Sequence, residues 1–242
     1  MGAAHTGADT PDSCTLEGQR SRGYMTASFT RRTLFAALAA CTCFSIPASD
    51  AENDGWTSLF NGKDLTGWKA PDPNPFWKVA EGILVGENDA AQKGSMIYTN
   101  ESYADFEFEA EARWKGEIDS GFMVRRKVKT CADKIPGDLQ MQIGVSRSLK
   151  KDMTGSFYIG NYPEAGQAKD AATQLNKEGE WNKFRLEVKG DTVTVFINGH
   201  QASKYTDARY ADAGPIGLQI HPKLNMKVEF RNLRIKPSAA AK

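Results

Sequence analysis

Two glutamines and an arginine occupy unusual places in otherwise apolar segments of this 242-residue chain. Gln140 and Gln142 alternate with the apolar residues of segment 139–143, and Arg125 alternates with those of segment 119–126. In a β-strand this spacing places the amides and the guanidinium on the side opposite the apolar side chains. A half-buried strand more commonly carries Lys, Glu or Thr there, so these residues indicate a surface that hydrogen-bonds to a ligand.

Three further side chains join this surface if the apolar sides of all the strands line one core. The spacing within residues 216–221 places Gln219 and His221 opposite the apolar residues, and residues 155–160 place Tyr158 there. Amides and a guanidinium form paired hydrogen bonds with sugar hydroxyls, and an aromatic ring offers a flat apolar plate. The pattern therefore favours a sugar-binding face, with ordinary polar residues on an exposed sheet as the alternative.

The composition and the missing motifs exclude several other functions. The chain carries 31 basic and 30 acidic residues, and this balance gives no electrostatic basis for binding nucleic acid. It lacks a phosphate-binding glycine loop, a dinucleotide fingerprint, a Cys-x-x-Cys pair, a His-Glu-x-x-His helix and a Gly-x-Ser-x-Gly elbow. His200 and His221 are the histidines that follow residue 51, so a zinc site of three histidines is excluded.

Turn signals and short alternating segments predict an all-β fold. Residues 105–115 alternate strictly between apolar and charged side chains, and dipeptides such as Asn198-Gly199 mark tight turns. Roughly a dozen such segments, with no long amphipathic helix, predict a jelly-roll β-sandwich of two antiparallel sheets. We expect residues 52–242 to form this single domain. The acidic side of segment 107–111 is expected to be a solvated outer face, whose glutamates would repel one another unless a cation or neighbouring arginines lie opposite.

Residues 1–51 have the pattern of an export leader. Two arginines precede the apolar segment 34–46, and small residues after it resemble a cleavage site. We therefore expect an exported protein, periplasmic or extracellular, with Met25 as an alternative start. A lipobox-like sequence ending at Cys41 leaves a lipid anchor as an alternative to plain secretion. No apolar run approaches the ~20 residues that span a bilayer, and Cys131 is the lone cysteine after the leader, without a partner for an intrachain disulfide.

A set of short motifs occurs in a fixed order along the chain after the leader. The motifs are LFNGKDLTGW at 59–68, DSG at 119–121, QMQI at 140–143, EWN at 180–182, NG at 198–199, GPIGLQIH at 214–221 and FRNLRI at 230–235. Together they resemble the 3-keto-disaccharide hydrolase domain family over nearly the whole chain beyond the leader. The resemblance implies a concanavalin-like lectin/glucanase jelly roll with its ligand on the concave sheet. It also implies activity on disaccharides or glycosides oxidised at the sugar 3-hydroxyl.

The chain departs from the family pattern at three places within these motifs. Family members often read Asn-Ser-Gly where this chain has Asp119. They often read Glu-x-Gln-Ile-x-Asp where this chain has Gln140 and Val145. The carboxylates that the family carries in that segment are therefore absent, and Asp119 or Asp138 is the candidate replacement.

A mechanism follows from the chemistry of a 3-keto sugar. The keto group acidifies the neighbouring C2–H, so a base can remove that proton and expel the glycosidic oxygen from C1, after which water adds back. This elimination needs a base with a near-neutral pKa and a donor or cation at the enolate oxygen. A conventional glycosidase instead needs two carboxylates that flank the bond, and the sequence does not place such a pair.

Each residue of the predicted face has a proposed role. His221 is the predicted base and Arg125 the predicted oxyanion stabiliser. The predicted substrate-binding residues are Gln140, Gln142, Tyr158, Gln219 and Asp119. No cofactor is expected, with a divalent ion held by Asp119 and Asp138 as the alternative. The expected partner is a carbohydrate, either an oxidised disaccharide or a glycoside. A lectin-like glycan-binding module without turnover and a structural surface domain remain the alternative functions.

Overall fold

The computed structural model describes residues 54–127 and 137–238. The predicted export leader at 1–51 lies outside the described residues, and so do the alternative start at Met25 and the lipid-anchor site at Cys41. Cys131 lies outside them as well. Within the described ranges, no helix is long and apolar enough to cross a membrane.

Short strands dominate the described residues, as the turn signals predict. In chain order they are β1 (Thr57–Ser58), β2 (Trp68–Lys69), β3 (Trp77–Ala80), β4 (Ile83–Glu87), β5 (Ser95–Thr99), β6 (Phe106–Trp114), β7 (Asp119–Arg126), β8 (Asp138–Ser146), β9 (Lys151–Asp152), β10 (Phe157–Tyr158), β11 (Asn182–Lys189), β12 (Thr192–Ile197), β13 (His200–Thr206), β14 (Gly217–Ile220) and β15 (Lys227–Pro237). Short 3-10 helices cover Glu164–Gly166, Ala171–Gln174 and Ala208–Tyr210.

The strands form a concanavalin-like jelly-roll β-sandwich of two antiparallel sheets, which confirms the predicted fold class. The back sheet has the order β13-β12-β11-β6-β15-β4-β3, with β1 beside β15. The front sheet has the order β10-β8-β7-β14-β5-β2, with β9 beside β8. Strands that are distant in sequence are therefore neighbours, and the front sheet can assemble one surface from several segments of the chain.

An aromatic cluster joins the two sheets beneath the middle of the front sheet. Phe122 of β7 contacts Phe108, Phe184 and Phe230 of the back sheet, with ring centroids 5.3, 5.6 and 5.8 Å away. All four side chains are fully buried, and each such ring pair contributes about 0.5–1.5 kcal/mol beyond simple burial. The cluster anchors β7, so the side chains on its opposite face stand on a rigid base.

The acidic side of β6 faces basic residues, but it is less solvated than the sequence predicts, because Glu109 is only 7% exposed and Glu107 and Glu111 are half-buried. Glu109 contacts Lys183 at 2.9 Å and Arg234 at 2.6 Å, and Glu111 contacts Arg231 at 2.7 Å. Burial acts to raise the pKa of Glu109, but the hydrogen bonds from Lys183 and Arg234 lower it overall. The cations thereby offset the repulsion between glutamates two residues apart, and this face is held together by its own charges.

The register of the front sheet brings the polar side chains into neighbouring rows. On β8, Gln140 pairs with Tyr158 of β10, and Gln142 pairs with Gly121 of β7. Strand β14 runs along the other side of β7, where Gly217 pairs with Met123 and Leu218 with Phe122, and Gln219 is the next residue along β14 toward Gly121. The two-residue period of each strand therefore places these side chains on the same face, away from the core.

Candidate functional site

A cleft of about 230 Å³ opens on the outer face of the front sheet. Its lining residues are Asp119, Gln140, Gln142, Ser146, Arg147, Ser148, Tyr158, Tyr162, Gln219 and His221. Six of the seven predicted site residues therefore come together in one cleft, although their individual roles stay predictions. The seventh, Arg125, lies elsewhere.

A chain of side-chain amides forms the floor of the cleft. Gln140 Nε2 donates to Gln142 Oε1 and to Gln219 Oε1, each at 2.9 Å. Gln142 Nε2 donates in turn to Asp119 Oδ1 at 2.8 Å. Because a carboxylate only accepts hydrogen bonds, Asp119 fixes the orientation of Gln142, and Gln142 fixes that of Gln140. The chain thus connects three strands and has a defined direction.

Gly121 makes this connection possible. Gln140 lies on β8 and Gln219 on β14, with β7 between them, so the Gln140 side chain must pass over β7 at Gly121. A Cβ at position 121 would lie 2.9 Å from Gln140 Nε2 and 2.5 Å from the Met141 carbonyl oxygen. The absence of a side chain is therefore a requirement of the amide chain, and no pattern in the strand sequence indicates it.

His221 stands at the end of β14 with one ring nitrogen engaged. Its Nδ1 lies 2.8 Å from the Pro222 carbonyl oxygen, and a carbonyl can only accept, so Nδ1 carries the proton in the neutral ring. The lone pair is then on Nε2. The backbone N–H of His221 donates to the Asp119 carbonyl oxygen at 3.3 Å, and Nδ1 lies 3.9 Å from Asp119 Oδ2. The imidazole thus presents a basic nitrogen beside a carboxylate.

Asp119 is a buried carboxylate in an unfavourable environment. Its side chain is only 8% exposed, and this burial raises the pKa of Asp119 above its ordinary value. The hydrogen bond from Gln142 and the charges of His221 and Arg147 act in the opposite direction. An acid held under such constraints at a cleft is characteristic of functional sites. Because Asp119 accepts hydrogen bonds from the Gln142 amide and the His221 backbone N–H, it is better placed to orient these two residues than to bind a ligand directly.

Four lining residues were not predicted from the sequence because they lie in or next to irregular segments. Ser146 ends β8, Arg147 and Ser148 follow it, and Tyr162 lies in the loop after β10. Arg147 donates to the Lys223 carbonyl oxygen at 2.6 Å, which ties the loop after β8 to the one after β14. Its guanidinium is the cation that lines the cleft, whereas Arg125 lies elsewhere.

Two tyrosines form the aromatic side of the cleft. The rings of Tyr158 and Tyr162 have centroids 5.1 Å apart and planes tilted by 56°. Burial raises the pKa of Tyr162 to about 12, so its phenol remains protonated and can donate at neutral pH. The pair offers both a plate for a sugar ring and a hydroxyl donor.

The predicted position of Arg125 is wrong. A bulge between Val124 and Arg126 interrupts the pairing of β7 with β8, and Arg125 adopts a left-handed φ of 58°. The extra residue ends the two-residue alternation, and the guanidinium becomes 98% buried, since only 2% of it is exposed. It donates to Asp105 Oδ1 and to the Ala211 carbonyl oxygen. Arg125 therefore connects β7 to the residue before β6 and to the segment after the last 3-10 helix, instead of lining the cleft.

The alternative metal site at Asp119 and Asp138 is not formed either. Asp119 pairs with Gly144, whereas Asp138 pairs with Arg126 at the other end of the same hairpin, about 20 Å away along the strand. Asp138 instead accepts from the Tyr98 hydroxyl at 2.9 Å. In the described part of the chain, no group of three or more His, Cys, Asp and Glu side chains has the geometry to hold a metal ion.

The jelly-roll fold and its amide-lined cleft define a carbohydrate-related protein of the glycosyl hydrolase or carbohydrate-binding kind. Residues 55–236 match the family described as the 3-keto-alpha-glucoside-1,2-lyase-like domain. The chain belongs to this family, which confirms the resemblance drawn from its motifs. No curated protein sequence matches the chain.

Solved structures of carbohydrate-related proteins share the fold at low sequence identity. A candidate glycosyl hydrolase of Parabacteroides distasonis ATCC 8503 is 22% identical, with 76% of this chain and 94% of that chain covered and a TM-score of 0.56. The carbohydrate-binding module CBM66 of Bacillus subtilis is 17% identical, with 74% and 99% covered and a TM-score of 0.51. The exoplasmic/lumenal domain of VIP36, solved with Ca²⁺ and Man3GlcNAc, is 9% identical, with 79% and 92% covered and a TM-score of 0.55.

Proposed function

We propose that this protein cleaves 3-keto-glycosides or 3-keto-disaccharides at the glycosidic bond by base-assisted elimination followed by hydration. The observation that carries this proposal is the state of His221 in the cleft. Its Nδ1 proton is engaged by the Pro222 carbonyl oxygen at 2.8 Å, which leaves Nε2 as a base beside hydrogen-bonding groups suited to a sugar. The family is described as a 3-keto-alpha-glucoside-1,2-lyase-like domain, and a 1,2-lyase eliminates a group between C1 and C2, which supports the same chemistry.

The reaction needs one proton transfer and one bond cleavage before water enters. His221 Nε2 removes the proton from C2, and the electron pair moves toward the C3 carbonyl to give an enolate. The enolate then expels the glycosidic oxygen from C1, which forms a C1=C2 double bond conjugated to the ketone, and the departing oxygen takes up a proton. Water adds across that double bond, with hydroxyl at C1 and hydrogen at C2, and yields the free 3-keto sugar.

The cleft contains suitable groups for the developing enolate charge. Arg147 carries a positive charge at the rim, and the Tyr162 phenol, whose pKa burial raises to about 12, is protonated at neutral pH. Gln219 accepts from Gln140 through Oε1, and its Nε2 has no hydrogen-bond partner among the described residues. The N–H groups of Gln219 are therefore able to donate to the enolate oxygen. Donors aimed at developing negative charge in a site that excludes water are an effective source of rate enhancement.

The carboxylates of the cleft favour elimination over direct hydrolysis. Among the described residues that line it, Asp119 is the one carboxylic acid, and its Oδ1 already accepts from Gln142. A conventional glycosidase needs a second carboxyl group, about 5–10 Å from the first depending on its stereochemical course. The elimination route needs only a base and donors, which the cleft contains.

The volume of the cleft supports recognition of a single sugar ring. At about 230 Å³ it is smaller than the ~300–1,000 Å³ typical of pockets that enclose drug-sized ligands. The oxidised ring would occupy it, with the group on the far side of the glycosidic oxygen outside. The Tyr158 and Tyr162 rings would pack against that sugar.

The test measures sugar release from a synthetic 3-keto-glucoside together with the fate of the C2 hydrogen. We expect release by the wild-type protein, a slower reaction when C2 carries deuterium, and loss of turnover in His221→Ala. His221→Ala should still bind the unoxidised glucoside within a fewfold of wild type, because the amide floor is intact. Release of the free sugar without any C2 isotope effect would exclude C2–H cleavage as a rate-limiting step and favour direct hydrolysis.

A lectin-like module without turnover is the second candidate, because the family acid at position 140 is replaced by Gln140 in this chain. The same purified protein decides between the two. Binding of glucosides to the cleft with no sugar release from any 3-keto-glycoside would establish the binding module. In that case Gln142→Ala should weaken glucoside binding, and neither this variant nor the wild type should release sugar.

We further propose that the protein is exported, on the basis of the leader pattern at residues 1–51. Mass spectrometry of the mature N-terminus after cell fractionation tests this. A terminus near residue 52 supports plain secretion, and a lipid-modified Cys41 supports the anchored form. An unprocessed cytosolic chain contradicts both.

A further inference from the structure

An apolar shelf adjoins the sugar cleft on the same face of the front sheet. It has a volume of about 550 Å³, and its lining includes Met96, Ile220 and Pro222 together with Lys93 and Ser95. We call this surface the Met96 shelf. Met96 is 41% exposed, which is unusual for a large apolar side chain of a strand. Its sulfur lies 3.0 Å from the hydroxyl oxygen of Tyr98, whose proton is donated to Asp138, so the thioether packs beside the Tyr98 side chain.

The Met96 shelf is continuous with the cleft through a single residue. Gln219 lines both surfaces, and on the neighbouring strand β5 its backbone partner is Met96. A molecule with its sugar ring over the amide floor would therefore cross Gln219 and continue onto Met96. The glycosidic oxygen of such a molecule would lie near the boundary between the two surfaces.

The chemistry of the shelf differs from that of the cleft. The cleft presents amides, an imidazole, a guanidinium and hydroxyls, whereas the shelf presents the Met96 thioether and the Pro222 ring, with Lys93 beside them and Ile220 only 1% exposed. The Ser95 hydroxyl already accepts from the Trp77 indole N–H at 2.9 Å. A second hexose needs a dense set of donors and acceptors for its hydroxyls, and a polarisable thioether contacts an aromatic or aliphatic group more favourably.

We propose that the Met96 shelf is the aglycone subsite, and that the preferred substrates are 3-keto-glucosides with an apolar aglycone rather than 3-keto-disaccharides. This inference rests on the proposed function for the cleft. It narrows the substrate class from any 3-keto-glycoside to those whose leaving group is an apolar, preferably aromatic, alcohol.

The test compares benzyl and methyl 3-keto-glucosides, which share the sugar and release unactivated alcohols of similar acidity. We expect kcat/KM to be about tenfold higher for the benzyl compound, the effect of removing roughly 60 Å² of apolar surface from water. Met96→Ser should abolish this preference and leave the methyl compound within about twofold of wild type. Met96→Leu should retain the preference, because an apolar side chain of similar volume remains.

A matched surface variant and a binding measurement separate the possible outcomes. Leu149 is 52% exposed and lines neither surface, so Leu149→Ser should keep the benzyl preference. Calorimetry with unoxidised benzyl and methyl glucosides tests the shelf without turnover. Equal affinities for the two, or a benzyl preference that survives Met96→Ser, overturn the aglycone subsite. A Met96-dependent benzyl preference in binding, with no turnover of either 3-keto compound, supports the shelf and refutes the proposed catalysis.

Discussion

The most informative perturbation of the cleft is the addition of one methyl group at Gly121. In Gly121→Ala the new Cβ would lie 2.9 Å from Gln140 Nε2, 3.0 Å from Gln140 Cγ and 2.5 Å from the Met141 carbonyl oxygen. The Gln140 side chain is flexible and can move aside, whereas the carbonyl belongs to the β7–β8 ladder and must shift with the backbone. We therefore expect both a loss of the amide chain and a moderate loss of stability.

The two effects have different magnitudes and different assays. Displacing Gln140 breaks its hydrogen bonds to Gln142 and Gln219 and moves the amides that would bind the sugar. Loss of two hydrogen bonds to the glucoside, each worth about 0.5–1.5 kcal/mol, lowers its affinity about 5- to 150-fold. Overpacking of this kind lowers the free energy of unfolding by about 1–3 kcal/mol, and each kcal/mol lowers Tm by about 2–4 °C in a domain of this size. Calorimetric titration measures the first effect and thermal denaturation the second.

Gly137→Ala is the matched control on the same hairpin. A Cβ at position 137 meets no atom of the described residues within 4 Å, so this variant should bind and melt as the wild type does. A crystal structure of Gly121→Ala should show the contact between Gln140 and Gln219 broken. Affinity within twofold of wild type in a variant with Gln140 displaced would refute the role of the amide chain. An undisturbed Gln140 would refute the steric argument itself.

Three further variants test other parts of the structure. Because burial raises the pKa of Asp119, ionisation of this carboxyl destabilises the fold once the pH exceeds its pKa in the unfolded chain, about 3.9. Asp119→Asn should therefore have a higher Tm than wild type at pH 7, and the difference should vanish near pH 3. Equal Tm values at pH 7 would contradict this. Arg125→Met should lower the free energy of unfolding measured in urea by about 1.5–3 kcal/mol and leave kcat/KM within twofold of wild type. A large loss of kcat/KM would show that Arg125 does take part in catalysis. Tyr158→Ala should weaken glucoside binding about 2- to 12-fold in calorimetry, and Tyr158→Phe should not.

The sequence predicts the site wherever a strand keeps its two-residue period. Gln140, Gln142 and Gln219 lie on regular parts of β8 and β14, so their parity correctly places them on one face. Arg125 fails because the bulge at Val124 and Arg126 adds one residue, and no local composition distinguishes this bulge from a continuous strand. The parity argument is therefore valid only up to the first irregularity in each strand.

The parts of the site outside regular strands were beyond sequence reasoning for a different reason. Arg147 and Tyr162 lie in loops, where no period relates one side chain to the next, and their positions depend on contacts with distant segments such as the Lys223 carbonyl oxygen. Gly121 is a strand glycine whose importance arises only from what crosses above it. Such features follow from the pairing of strands, which a single sequence does not specify.

The direction of the amide chain gives the cleft a means of recognising which carbon of a sugar has been oxidised. Gln140 Nε2 uses both of its hydrogens within the chain, so Gln140 can offer a ligand only its oxygen, whereas Gln219 can offer a ligand the N–H groups of its amide. A ketone oxygen accepts hydrogen bonds but cannot donate them, unlike a hydroxyl. A ketone oxygen that faces Gln219 therefore accepts a hydrogen bond from its N–H groups. A ketone oxygen that faces Gln140 would instead lie against the amide oxygen of Gln140, and neither oxygen can donate. The cleft should thus distinguish regioisomers of an oxidised sugar that have the same shape.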